Sequence, residues 1–282
     1  LLDILQPKYV FVDQLRFGIS TVLASSCLLK KVDVILVPHG SISIPNDEYS
    51  EFVLSICARG LIYSKIASYS VAQSKISFEA IKYYDKNLKI LKSKPLLFGK
   101  NSYKKNKEKN ERFVFLHAST PKSLSKWPWI YESYNEYVNN IKDLIDKFKN
   151  LSNIELRIRF REGPECDLET FKKLVEINKN DFVRISKNKD FFKDLEESDC
   201  LISFSSTSIE EALFLNKKIL IYQGSKNYRH INYKFNGNND IIYTDQKNIS
   251  KSIDLIMNNQ ELPEYDVLWN NDIHKDESLN KY

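Results

Sequence analysis

DCLISFSSTSIEEALFLNKKILIYQ, residues 199–223, decides how this chain is read. Cys200 to Phe204 is a continuous apolar run, the pattern of a parallel strand buried on both faces. Four small hydroxyl residues follow, Ser205, Ser206, Thr207 and Ser208, and then an amphipathic segment with Glu210 and Glu211 that reads as a helix. Lys218 to Tyr222 reads as a second apolar strand. A strand feeding a helix through hydroxyl residues presents unpaired backbone N–H groups beside hydroxyl donors, which suits a phosphate or carboxylate. Thr207 and Glu210 also have the spacing of a capping box, which needs no ligand. Taken alone, the stretch favours the cap.

Working outward, the same alternation of strand and helix fills the chain. Toward the N-terminus, residues 9–12 are a β-rich run, 17–31 an apolar helix with a basic end, and 32–37 a strand stopped by Pro38-His39-Gly40-Ser41. A helix over 46–59, short strands over 60–66 and 69–73, a helix over 74–84 and a strand over 87–91 follow. KNSYKKNKEKNE, residues 100–111, is charged and without apolar periodicity, the mark of an exposed linker.

Beyond it the pattern predicts a strand over 113–116, a KWPW loop, a helix over 131–149 and a strand over 154–160 carrying Arg157, Arg159 and Arg161. A helix over 168–178, a strand over 182–185 and a helix over 191–197 lead into the opening stretch. A loop with Arg229 and His230, a strand over 241–243 and a helix over 249–258 complete the series. Such alternation predicts α/β architecture with mainly parallel sheets. The expected domains are 1–100, a linker over 101–111, 112–262, and a tail over 263–282 that packs back through Leu268 and Trp269. The chain opens LLDILQ and its one Met is Met257, so the first domain is expected to be incomplete.

Composition narrows the function. The 282 residues carry a net charge of +5 dispersed among many Lys, Asp and Glu, which argues against nucleic acid and suits an anionic small molecule or a membrane surface. The four cysteines form no CxxC pair, and at least Cys27 and Cys200 sit in apolar segments, as expected of buried thiols in a reducing compartment. There is no apolar run long enough to span a bilayer, so the expected location is the cytoplasm, including the inner face of its membrane. GxGxxG, Walker A, HExxH, GxSxG and DxD patterns are all absent, and no metal site is expected.

Ligands of open α/β sheets collect at the carboxyl ends of the strands. Five predicted strand ends carry polar groups: His39, Gly40 and Ser41; His117, Ser119 and Thr120; Arg161, Glu162 and Gly163; Ser205 to Ser208; Gln223 and Gly224. Spread over two domains, they predict a cleft. His39, in a tight turn, suits a general base or a phosphate contact. Gly40 permits close backbone approach. Arg161 suits bidentate anion binding, whereas Arg157 reads as a charged edge-strand face. His117 fits either a substrate contact or a structural histidine. Trp127 and Trp129 read as packing under the next helix, and Arg229 and His230 could reach a phosphate. Either Glu210 or Glu211 could accept from ribose hydroxyls, with Glu210 better placed to cap.

LRIRFRE at 156–162, FKKLVE after it and the opening stretch resemble the donor-binding domain of GT-B glycosyltransferases. VPHGS at 37–41 is similar to a turn in capsule and lipopolysaccharide transferases of that fold, such as Kdo- and sialic-acid-type transferases and CDP-glycerol glycerophosphotransferases. The resemblance implies two Rossmann-like domains facing across a cleft. It also implies metal-independent transfer of a sugar from a nucleotide-activated donor to a surface polysaccharide or lipid-linked glycan, with no cofactor besides that donor. Ser205, Ser206 and Thr207 would bind the donor phosphate, Arg161 would add positive charge, and His39 would be the base. Gly40, Ser41, His117, Ser119, Glu211, Gln223 and Arg229 are the further cleft candidates. Where the family often has an Arg-x-His-Pro run, this chain has Arg159-Phe160-Arg161-Glu162. A polyol-phosphate transferase, a sugar-nucleotide 2-epimerase and a non-catalytic nucleotide- or carbohydrate-binding protein are the alternatives.

Overall fold

A computed structural model describes residues 2–16, 18–38, 40–42, 44–45, 47–94, 112–118, 133–162, 166–177, 181–187, 190–204, 206, 208–222, 243–258 and 278–279. The segment expected to be a linker, the KWPW loop, Leu268 and Trp269 lie outside the described residues. The chain divides into two compact units, each built on its own parallel sheet.

The first sheet has four strands in sequence order, β1 (Tyr9–Val12), β2 (Asp33–Leu36), β3 (Tyr69–Ala72) and β4 (Lys89–Lys92). Stepping one strand at a time in one direction, right-handed crossovers lay their helices on the same face. Accordingly α2 (Ile19–Leu29) packs Ala24 and Cys27 against Val12, Val34 and Leu36. α3 (Glu48–Ala58) and α4 (Lys75–Tyr84) bring Ala58, Ala80 and Ile81 onto Ala72. On the opposite face Ile35, Val71 and Leu91 are buried, with Leu279 against them. A short helix α1 (Leu2–Leu5) precedes β1, and a bridge from Lys92 to Ser278 returns the C-terminal end to this unit.

The strand expected over 60–66 is instead a turn. Gly60 has φ of +80°, and its N–H donates to the Tyr63 carbonyl at 2.6 Å. A Cβ at this position would lie 2.6 Å from the Leu15 carbonyl oxygen, a contact only glycine avoids.

The second sheet has six strands: β5 (Phe113–Ala118), β6 (Ile154–Arg159), β7 (Val183–Ile185), β8 (Cys200–Ser203), β9 (Lys218–Tyr222) and β10 (Tyr243–Thr244). Their spatial order is β10-β9-β8-β5-β6-β7. Numbered from β5 this is 3-2-1-4-5-6, the doubly wound order, with its switch point between β5 and β8. One face is covered by α5 (Tyr134–Phe148), α6 (Leu168–Val175) and a C-terminal helix, Ile249–Asn258. Tyr137, Ile141, Leu144 and Phe148 of α5 meet Leu156, Ile158, Phe171 and Ile253 in one apolar cluster. Ser133 and Glu136 start α5 with a reciprocal capping box, which satisfies two otherwise unpaired N–H groups.

Two strand readings change. β5 continues two residues past its expected end, because His117 and Ala118 pair in register with Ile158 and Arg159 of β6. β6 is interior and β7 forms the sheet edge, so Arg157 is not an edge-strand charge. It donates instead to Glu155 at 2.9 Å and to Glu197 at 2.6 Å.

Candidate functional site

All strands of the second sheet are parallel, so their carboxyl ends share one edge. At the switch point the hydroxyls of Ser203 and Ser208 both donate to the Ala118 carbonyl, at 3.2 and 3.4 Å. That pair ties the turn after β8 to the end of β5. Ser206 stands in the turn. Its hydroxyl accepts from the Ser208 N–H at 3.2 Å, and its carbonyl accepts from the Ile209 N–H at 3.3 Å. The residue therefore supplies acceptors to the first turn of α8 (Ser208–Phe214), as capping requires. Ser205 and Thr207 lie outside the described residues.

Charge gathers beside this turn. Glu211, in the first turn of α8, has its carboxyl pushed up to about 7 by burial, reinforced by the negative charges of Glu210 and Asp190 and opposed by Arg159. A carboxyl half-ionised near neutrality in a partly buried setting is the kind of group that handles protons or accepts directional hydrogen bonds. Arg159, the last residue of β6, donates from Nη1 to Asp194 Oδ2 at 2.5 Å and lies 5.4 Å from the Phe191 ring centre. Asp194 is fully buried on α7 (Phe191–Glu197) and also accepts from the Ser186 hydroxyl at 2.6 Å. Asp190 caps that helix through the Phe192 N–H at 2.9 Å.

The sequence-predicted residues distribute unevenly over this edge. Arg161 follows the end of β6 and is exposed. Its neighbour Glu162 reaches the start of α6, accepting from the Leu168 N–H at 3.0 Å. His117 is placed by the longer β5 inside the core, fully buried, with its ring centre 4.6 Å from that of Phe204. Neither of its ring nitrogens has a hydrogen-bond partner among the described residues. In the first unit, Gly40 and Ser41 follow β2. His39, Ser119, Gln223, Arg229, Trp127, Trp129 and His230 lie outside the described residues.

Sequence reasoning passed over Arg159 and Asp194 as site residues. A cation ending a strand and an acid 35 residues later carry no spacing signal; only the β7–β8 crossover, which carries α7, brings them together. Among the described residues no group of three or more His, Cys, Asp or Glu is arranged to hold a metal ion.

Comparison with solved structures places this architecture. The fold is of the GT-B type, with two Rossmann-like α/β domains. S. aureus MnaA, solved with UDP, is similar at a TM-score of 0.55 and 13% identity, covering 93% of this chain and 69% of its own. The UDP-GlcNAc 2-epimerase of Methanocaldococcus jannaschii, solved with UDP-GlcNAc and UDP, gives 0.53 and 13%, covering 98% and 74%. The pneumococcal O-GlcNAc transferase GtfA, solved with UDP and GlcNAc, gives 0.56 and 11%, covering 93% of this chain and 53% of GtfA. This chain thus spans about half the length of GtfA. At such identities the likeness shows the fold alone. No protein-family model matches the chain, and no curated protein matches it in sequence.

Proposed function

We propose that the second unit binds a nucleotide-activated sugar at the carboxyl edge of its sheet, and that the chain is a metal-independent glycosyltransferase of surface-polysaccharide assembly. The observation that carries this reading is the grouping of Ser206, Arg159 and the near-neutral carboxyl of Glu211 at a doubly wound switch point. Several solved neighbours carry UDP or UDP-GlcNAc, which supports the nucleotide class. Ser205, Ser206 and Thr207 hold the donor phosphate, and Arg161 adds positive charge to the departing phosphate. The acceptor hydroxyl attacks the anomeric carbon, a new C–O bond replaces the bond to phosphate, and the hydroxyl proton passes to His39. The chemistry asks for no cofactor beyond the donor. The acceptor is a glycan or a lipid-linked glycan met at the inner face of the membrane; among the described residues no helix is long and apolar enough to cross one.

Glu211 provides the test. In this reading its carboxylate accepts from the ribose hydroxyls, and an ionised acceptor binds more strongly than a neutral one. UDP affinity in the wild type is expected to tighten about tenfold as pH rises through about 7, the point where Glu211 loses its proton. Glu211→Gln flattens that profile and holds the weaker affinity throughout. A pH-independent wild type, or a variant that keeps the rise, removes Glu211 from the site.

The epimerase neighbours favour one second reading, a sugar-nucleotide 2-epimerase. An epimerase converts its sugar nucleotide with no acceptor present, whereas a transferase needs one.

A further inference from the structure

β6 lies inside a parallel sheet, where a strand buried on both faces is expected to be apolar throughout. Its sequence alternates instead, Ile154-Glu155-Leu156-Arg157-Ile158-Arg159. Ile154, Leu156 and Ile158 join the apolar cluster of α5 and α6, so the other face of the strand carries the charges. α7 packs on β5, and against β6 and β7 lies a cavity of about 560 Å³. Its wall includes Glu155, Arg157, Arg184, Ser186, Lys187 and Glu197, with Ile177 and Ile185 as an apolar part. The volume is in the range of small-molecule sites.

The charges on this wall are only partly spent. Arg157 is held by Glu155 and Glu197. Its register partner on β7 is Arg184, and like charges placed opposite each other repel unless an anion sits between them. Glu155 does this only in part, since its Oε2 is 3.7 Å from Arg184 Nε, beyond hydrogen-bond length. The Arg184 side chain is 63% exposed, and its guanidinium makes no hydrogen bond among the described residues. Lys187 makes neither a hydrogen bond nor an ion pair among them. Glu155 is only 7% exposed, yet its Oε2 accepts no hydrogen bond among the described residues. A nearly buried carboxylate oxygen without a donor is costly unless one is supplied.

Two further lining charges are committed elsewhere, Asp194 to Arg159 and Lys172 to Glu169. Arg157, Arg184 and Lys187 then face Glu155 and Glu197, which leaves an excess of one positive charge. Unspent cationic donors beside an unspent carboxylate acceptor match a molecule with an acidic group and several hydroxyls.

We propose that this cavity binds a sugar carrying one acidic group, a phosphate or a carboxylate. The acidic group lies between Arg184 and Lys187, and a sugar hydroxyl donates to Glu155 Oε2. Glu155 is the second residue of β6 and Glu197 the last of α7, so the cavity extends toward the amino ends of the strands. It is therefore distinct from the carboxyl-edge nucleotide site, and the inference does not rest on that reading.

Calorimetric titration of the full chain with glucose 6-phosphate, glucuronate, glucose and inorganic phosphate tests this. At least one of the two acidic sugars is expected to bind with a Kd at or below about 1 mM, at least about tenfold tighter than glucose or phosphate. Binding of glucose 6-phosphate alone assigns the acidic group as phosphate, and of glucuronate alone as carboxylate. Arg184→Ala combined with Lys187→Ala should weaken that binding at least about tenfold with the circular dichroism and unfolding midpoint unchanged, since neither side chain has a hydrogen bond to lose among the described residues. Repeating the titration with about 1 mM UDP present should leave the Kd unchanged. Neither acidic sugar binding, inorganic phosphate binding as tightly as the sugar, binding indifferent to the double variant, or competition by UDP overturns the proposal.

Discussion

Acid is expected to destabilise the second unit, and His117→Leu is expected to remove most of that sensitivity. His117 is fully buried between aromatic rings, and burial pushes its imidazole down from 6.5 to about 3. As pH falls the unfolded chain takes up this proton first. The contribution is therefore complete above about 6.5 and is lost progressively as pH drops toward about 3. Each pH unit within that window is worth about 1.4 kcal/mol, so the full loss is on the order of 5 kcal/mol. Urea unfolding at about pH 7 and about pH 4.5 should show the wild type losing ~3 kcal/mol more than His117→Leu. At neutral pH the leucine should do no harm, since it relieves two buried nitrogens that lack partners among the described residues. Equal pH slopes for the two proteins would mean that His117 can be protonated in place.

Arg159→Ala is expected to cost about 3 kcal/mol and to weaken nucleotide binding at the same time. The stability loss follows from Asp194, which has no exposed surface and would lose the guanidinium that donates to its Oδ2. A buried carboxylate stripped of its cation is far costlier than the pair is beneficial. Binding suffers for a separate reason. Arg159 is the cation that opposes the upward push on Glu211, so removing it leaves that carboxyl protonated to higher pH. The double change Arg159→Ala with Asp194→Ala should recover part of the stability and none of the binding. Chemical denaturation checks the first quantity and calorimetric titration the second.

Much of the fold was legible because its signals are local. The apolar runs of β8 and β9 and the acidic first turn of α8 appear where the sequence places them. Strand ends were less so. Nothing in Leu116-His117-Ala118 shows that β6 will pair with all three residues, and that pairing moves His117 from a loop into the core. Periodicity likewise suggested a strand after Gly60, whereas the left-handed backbone of that glycine makes a turn. In the site, Arg161 drew attention by standing at the predicted end of a strand, but β6 stops at Arg159. Strand order was the missing information. The contacts among Arg159, Asp194 and Ser186 depend on β7 lying beside β6 and on α7 leading from β7 back toward β8, which side-chain periodicity does not encode.

Isothermal titration with UDP, CDP, CMP and GDP tests the central claim, that the carboxyl edge of the second sheet is a nucleotide site. One of the four should bind with a Kd in the micromolar range, about −8 kcal/mol, and Glu211→Gln should weaken it about tenfold at pH 8. Four flat titrations, or binding that Glu211→Gln leaves intact, would contradict it.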